Sequence, residues 1–251
     1  MNIQIRDKIF VFIGIFLLAV NTLFSTAIPS FQSVRDSIQN SELILLDRNG
    51  KILHEIRNNK LNRRTNWIKL ENISDAVVRA LLIAEDKNFF EHKGVDWKAL
   101  TDGALRYFTF RGKRGASTIT MQLASILEPH LKGKAGGRTL PQKWDQIQYA
   151  QELERKWSKE EILESYLNLV NFKGELVGID SASRALFQKE AHGLDELESS
   201  IIVSFFKSPS GKENRIADRA CYIAKVQESN VDCEKIKEKV RDIFSKTYYI
   251  K

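Results

Sequence analysis

Cysteine is scarce in this chain of 251 residues, with Cys221 and Cys233 the only two. Two thiols so far apart do not match the four-ligand zinc spacings, which argues against a metal-stapled fold. Outside the cytosol they are free to pair, although their spacing does not require it. Neither Gly-x-Gly-x-x-Gly nor Gly-Lys-Ser/Thr occurs, so a dinucleotide or P-loop site has no support. Repeats and low-complexity tracts are missing as well. Strand-like alternation is confined to one short segment, and the expected fold class is therefore mainly α. The length accommodates one domain with a tail and leaves no room for two independent enzymes. A formal net charge of +7 suits anionic partners such as phospholipid head groups, pyrophosphates or nucleic acid. The basic residues are scattered and no nucleic-acid motif is present, so nucleic acid is not an expected partner.

Ionisable side chains are also missing from residues 9–34, a stretch preceded by Arg6 and Lys8. About 20 apolar residues cross a bilayer core, so this stretch is long enough to span. Basic residues ahead of it favour a cytoplasmic N-terminus and place the remainder of the chain outside. A cleaved signal peptide is the competing reading, because Ser25-Thr26-Ala27 resembles a small-residue cleavage site. Both readings export the domain. The expected organisation is a cytoplasmic stub and anchor at 1–35, a main domain at 36–211 and a helical tail at 212–251.

Within the main domain, residues 43–56 read as a hairpin turning at Asn49-Gly50. Ser74 caps a helix whose Ala76, Val77, Ala80, Leu81 and Ala84 recur at three and four residues, and which is expected to end near Phe90. Asp96 caps a second helix carrying Trp97, Leu100, Ala104, Leu105 and Phe108. Residues 106–115 interleave Tyr107, Phe108 and Phe110 with Arg106, Arg111, Lys113 and Arg114, a mixture suited to a membrane interface. A short helix opens at Ser117, and residues 129–137 form a basic, glycine-containing loop. The pattern over 141–168 predicts one long helix of about 28 residues, roughly 40 Å, with Pro141 in its first turn. Further helices are predicted at 179–187, at 195–206 behind the Asp195/Glu198 capping pair, and from 213 towards the end.

The segment Glu85-Asp86-x-x-Phe89-x-x-His92-x-Gly94-x-Asp96 resembles the first motif of glycosyltransferase family 51, the peptidoglycan glycosyltransferases. That family comprises monofunctional enzymes and the glycosyltransferase domains of class A penicillin-binding proteins. Residues 114–123, Arg-Gly-Ala-Ser-Thr-Ile-Thr-Met-Gln-Leu, resemble its Gly-Gly-Ser-Thr-Ile-Thr-Gln-Gln motif. Residues 153–168 and then Gly178, Ala182, Phe187 and Lys189 resemble its later motifs. The likeness covers about residues 43–210. Only about 40 residues follow Pro209, so the transpeptidase domain of the bifunctional proteins is not expected in this chain.

The resemblance implies a lysozyme-like helical domain with a small β-hairpin, on one N-terminal transmembrane helix at the bacterial inner membrane. Its catalytic side would face the periplasm. It also implies polymerisation of lipid II into β-1,4 glycan by inverting transfer from a lipid pyrophosphate donor. Lipid II, the growing glycan strand and the inner membrane are then the partners, with other cell-wall synthesis proteins as further candidates. By motif position Glu85 is the general base, and Asp86, Phe89 and His92 build the site around it. Ser117 and Thr118 open a helix whose free amides attract phosphate, with Gln122 one turn beyond. Lys143 is the family-matched cation for the pyrophosphate, assisted by Arg114 or Arg138. Pyrophosphate chemistry leaves room for Mg2+ or Mn2+ as cofactor.

The chain departs from the family where most members carry a second essential glutamate, because Gln146 stands there. An amide cannot ionise but still hydrogen-bonds, and its i, i+3 spacing keeps it on the Lys143 face. Glutamine here is similar to the 1C-type branch of class A proteins. Ala116 and Met121 replace family Gly and Gln, and Ser125 and Ile126 stand where Lys-Asn is common. Two alternatives share these residues: an inactive module that holds lipid II or partners, and a glycan-cleaving lytic transglycosylase or lysozyme.

Overall fold

Local signals decide where most helices begin, and the computed structural model shows them at work across the residues it describes: 28–49, 51–59, 61–108, 117–133, 137–206, 211–228 and 231–245. The expected span at 9–34 lies outside these residues up to position 27, and so do Arg114, Ala116 and the rest of 109–116. Among the described residues no helix is long and apolar enough to cross a membrane.

Helix α1, Phe31–Ser37, starts behind Ser30, whose side chain accepts from the Ser33 amide. Strands β1, Glu42–Leu46, and β2, Ile52–Arg57, pair antiparallel with Leu43 opposite Ile56 and Leu45 opposite His54. Their turn is organised by Asp47, whose Oδ1 accepts from the amides of Asn49 and Lys51, each at 2.8 Å. Leu45, Leu53 and Ile56 are exposed.

Helix α2, Asp75–Glu85, is capped by Ser74 and buries Ala76, Val77, Ala80 and Leu81. It ends five residues before the predicted Phe90, because Asp86 leaves helical geometry at φ −160° and ψ 78°. Helix α3, Trp97–Phe108, starts where predicted, with the Ala99 amide donating to Asp96 Oδ1 at 2.8 Å. Helix α4, Ile119–Leu127, is capped by Thr118 and runs through the core with Ile119, Leu123 and Ala124 buried.

The single long helix predicted over 141–168 is two helices, α5 at Leu140–Lys156 and α6 at Lys159–Leu169. Trp157 breaks the run in an extended conformation, φ −116° and ψ 143°. Ser158 and Glu161 then form a capping box that starts α6 afresh. The Trp157 ring is buried 5.6 Å edge-on from Phe31, and its Nε1 donates to the Pro29 carbonyl at 3.0 Å. Burying this aromatic and capping the next helix outweigh continued helical hydrogen bonding.

Helices α7, Ile179–Phe187, and α8, Glu196–Ser204, come next, the latter behind the predicted Asp195/Glu198 capping box. The tail holds two helices, α9 at Glu213–Gln227 and α10 at Cys233–Ser245. A Cys221–Cys233 disulfide joins them. The main core lies among α2, α4, α5, α6 and α8. A second cluster, with Ile201, Phe205, Ile216, Ala220, Ile236 and Val240, seals α9 and α10 onto α8. Lys189 and Lys239 both donate to the buried Glu198 carboxylate at 2.8 Å, reinforcing that attachment. Helix α9 also packs on α2, which brings the tail to the end of the helix carrying Glu85.

Candidate active site

Glu85 is the last residue of α2, so its side chain leaves the helix where the backbone turns away. The side chain is 1 % exposed. Oε2 accepts from Gln122 Nε2 at 2.9 Å, and Oε1 is paired with the Arg219 guanidinium from α9. Gln122 is itself held by the Tyr166 hydroxyl, which donates to its Oε1 at 2.9 Å. Burial, with the nearby Glu85 charge second, pushes the Tyr166 phenol well above its ordinary range, so it stays a neutral donor. This chain of bonds dictates which end of the Gln122 amide faces the carboxylate.

Asp86 fastens the turn beneath. His92 Nε2 lies 3.0 Å from both of its oxygens, and the Ile119 amide donates to Oδ2 at 3.0 Å. The start of α4 therefore already holds an anion, the Asp86 carboxylate. Thr118 is similarly engaged: it donates to the Gly94 carbonyl at 2.6 Å and accepts from the Met121 amide at 3.1 Å. Phe89 is fully buried under the Lys159 ammonium, 4.3 Å from the ring centroid, and Lys159 donates to the His92 carbonyl at 2.8 Å. Gly94 explains the motif's glycine. Its φ is +83°, and a Cβ there would sit 2.6 Å from the Ala150 carbonyl oxygen of α5.

Above this layer opens a cavity of about 410 Å3, bordered by Glu85, Asp86, Asn88, Asp96, Asp102, Lys98, Ser117, Thr118 and Tyr222. Lys143 reaches its edge by donating to Ser117 Oγ at 2.9 Å, and it also donates to Gln146 Oε1 at 3.2 Å. Burial first, then the Arg138 charge, pulls the Lys143 ammonium down to about 8. Arg138 is turned inward, donating to the Leu131 carbonyl at 2.9 Å and to Ser125 Oγ at 3.1 Å.

Gln146 does not border the cavity. It is fully buried, and its Nε2 donates to the Met121 carbonyl at 2.6 Å and to Ser125 Oγ at 2.7 Å. The structure thus places Glu85, Asp86, Ser117 and Thr118 on one opening, with Gln122 bonded to Glu85 and Lys143 to Ser117. Phe89, His92 and Gln146 sit behind it as support, and Arg114 lies outside the described residues.

Among the described residues, no group of three or more His, Cys, Asp or Glu side chains could hold a metal ion. Asp86 already serves His92 and an amide, and Glu85 serves Gln122 and Arg219. Glu85 and Asp86, so engaged, do not fit a resident Mg2+ or Mn2+.

Sequence reasoning missed Arg219 and Tyr222, which come from a segment read as a tail of unassigned role. Their i, i+3 spacing on α9 was the available signal, since it puts both on one helix face. Without knowing that α9 packs on α2, that face had no stated target.

The profile of the family described as transglycosylase matches residues 49–228. Penicillin-binding protein 2D of Bacillus subtilis is 33% identical over 208 residues, covering 81% of this chain and 29% of that protein. The biosynthetic peptidoglycan transglycosylase of Haemophilus influenzae is 36% identical over 147 residues, 57% of each chain. Penicillin-binding protein 4 of Bacillus subtilis is 32% identical over 174 residues, 69% of this chain and 26% of that one. The chain spans less than two thirds of the length of each of these relatives. With 49–228 matched from the hairpin turn through the end of α9, this chain belongs to the transglycosylase family.

Proposed function

We propose that the protein is a peptidoglycan glycosyltransferase that extends glycan strands from lipid II. The observation that carries this reading is the Glu85 carboxylate beside the cavity, oriented through both oxygens, with the Lys143–Ser117 pair at the cavity edge. In the proposed reaction Glu85 takes the proton from an acceptor sugar hydroxyl as that oxygen attacks the anomeric carbon of the donor. The bond to the lipid pyrophosphate breaks on the opposite face, which inverts the anomeric centre. Lys143 offsets the negative charge that develops on the departing pyrophosphate. Asp86, Phe89 and His92 hold the turn that presents Glu85, and Gln122 orients its carboxylate. Gln146 acts as a buried strut that fixes Lys143.

Relatives named biosynthetic transglycosylases favour synthesis over the glycan-cleaving alternative. The helical domain is read as lysozyme-like, carried by a membrane-spanning segment within residues 9–27, with its cavity on the periplasmic side. Arg6 and Lys8 ahead of that segment support this orientation, and the disulfide suits an oxidising compartment. Gel-resolved extension of labelled lipid II by the full chain tests the reading. The wild type should lengthen glycan, and Glu85→Gln should lose about 100- to 10,000-fold in rate. Undiminished turnover by Glu85→Gln would refute the assignment of the base, and shortening of preformed polymer would refute the direction.

A further inference from the structure

The tail contributes a charge to the site. Arg219 lies 134 residues from Glu85 in sequence, on a helix that the resemblance over 43–210 did not reach. It nevertheless pairs with Glu85 Oε1, and its own side chain is 19 % exposed. A carboxylate buried to 1 % exposure is costly to keep charged unless a partner meets it. Gln122 supplies a neutral hydrogen bond to Oε2 and Tyr166 is a neutral phenol, so neither brings positive charge. Arg219 does. Tyr222 lies one turn further along α9 and borders the cavity, so the same helix face contributes both.

Resting on the reading of Glu85 as the base, we propose that Arg219 is a positioning residue for the reaction. It holds the Glu85 carboxylate turned to one geometry beside the cavity. On this account α9 is part of the working site, and α10 secures it through Cys221–Cys233 and the Lys239–Glu198 pair. Arg219 touches no reacting atom and acts only through the oxygen that it steadies.

The test compares wild type, Arg219→Gln, Arg219→Lys, Glu85→Gln and the double variant in the full chain, with lipid II extension and thermal midpoint as readouts. Arg219→Gln should lower kcat by about 10- to 100-fold, part of the contribution of the base itself, with KM within about twofold. Arg219→Lys, which keeps the charge, should recover most of that loss. In the Glu85→Gln background, Arg219→Gln should cost nothing further, because the two groups act as a unit. If Arg219→Gln fails to fold, restored folding in the double variant supports the charge pairing, and no restoration overturns it. Wild-type or raised kcat in Arg219→Gln, with Glu85→Gln inactive, overturns this inference and leaves the base intact. Full turnover in Glu85→Gln overturns both.

Discussion

Lys143 should make the proposed pyrophosphate site sensitive to pH in a range where ordinary lysines are not. Burial beside Arg138 brings its ammonium to about 8 from an ordinary 10.5. With that value the side chain is about nine-tenths charged at pH 7 and about one-tenth charged at pH 9. If the charged form is the one that holds the donor pyrophosphate, kcat/KM should fall about tenfold over that interval. Lys143→Arg serves as the control, since a guanidinium stays charged throughout and other titrations are shared with the wild type. The ratio of the two kcat/KM profiles, measured by extension of labelled lipid II between about pH 6.5 and 9.5, should therefore bend near pH 8. Unfolding does not mimic the effect. A lysine lowered on folding leaves the unfolded chain holding more protons between about 8 and 10.5, so stability from this residue rises with pH there. Parallel profiles for wild type and Lys143→Arg would refute the argument and remove Lys143 from donor binding.

Three further outcomes are expected from the packing. Gln146→Glu, the exchange toward the family's usual residue, sets a carboxylate oxygen against the Met121 carbonyl now 2.6 Å from Nε2. Urea unfolding at about pH 8 should show a loss of about 2 kcal/mol, and unchanged stability would contradict the buried-strut role. Gly94→Ala should cost about 3 kcal/mol or more, since both its φ of +83° and the Ala150 backbone oppose a Cβ. A soluble variant with wild-type melting would show that this close approach is not needed. Replacing both Cys221 and Cys233 by serine should lower stability by about 3 kcal/mol for a closed loop of this size, read by denaturation with and without reductant. Insensitivity of the wild type to reductant would count against the bond.

What the sequence disclosed was what neighbouring residues decide. Ser74, Asp96, Thr118 and the Asp195/Glu198 pair mark helix starts because a cap acts on amides two or three positions away. The 141–168 run reads as one helix because apolar spacing continues in phase across Trp157, although the Ser158/Glu161 capping box is there to be seen. Around Glu85, the motif announces the carboxylate but not its surroundings. Gln122, expected to meet ligand, is bonded to Glu85 and Tyr166. Of the amides at the start of α4, expected to be open, one serves Asp86. Arg219 is invisible in the sequence because its relation to Glu85 exists only after α9 has docked on α2, and no local pattern encodes that docking. The cysteines pose a similar question, since spacing allows a bond and only the helical hairpin brings their Cα atoms to 5.4 Å.

The corner at Trp157 joins two matters that look unrelated. One indole ring interrupts the rod between α5 and α6, and the same ring grips the chain at Pro29 and Phe31. The strand of polypeptide arriving from position 28 is thus pinned to the hinge between the helix that bears Lys143 and the helix that bears Tyr166. A tug or tilt imposed on that incoming strand would be delivered to this elbow. Whatever lies ahead of it has a mechanical handle on the angle between these two helices.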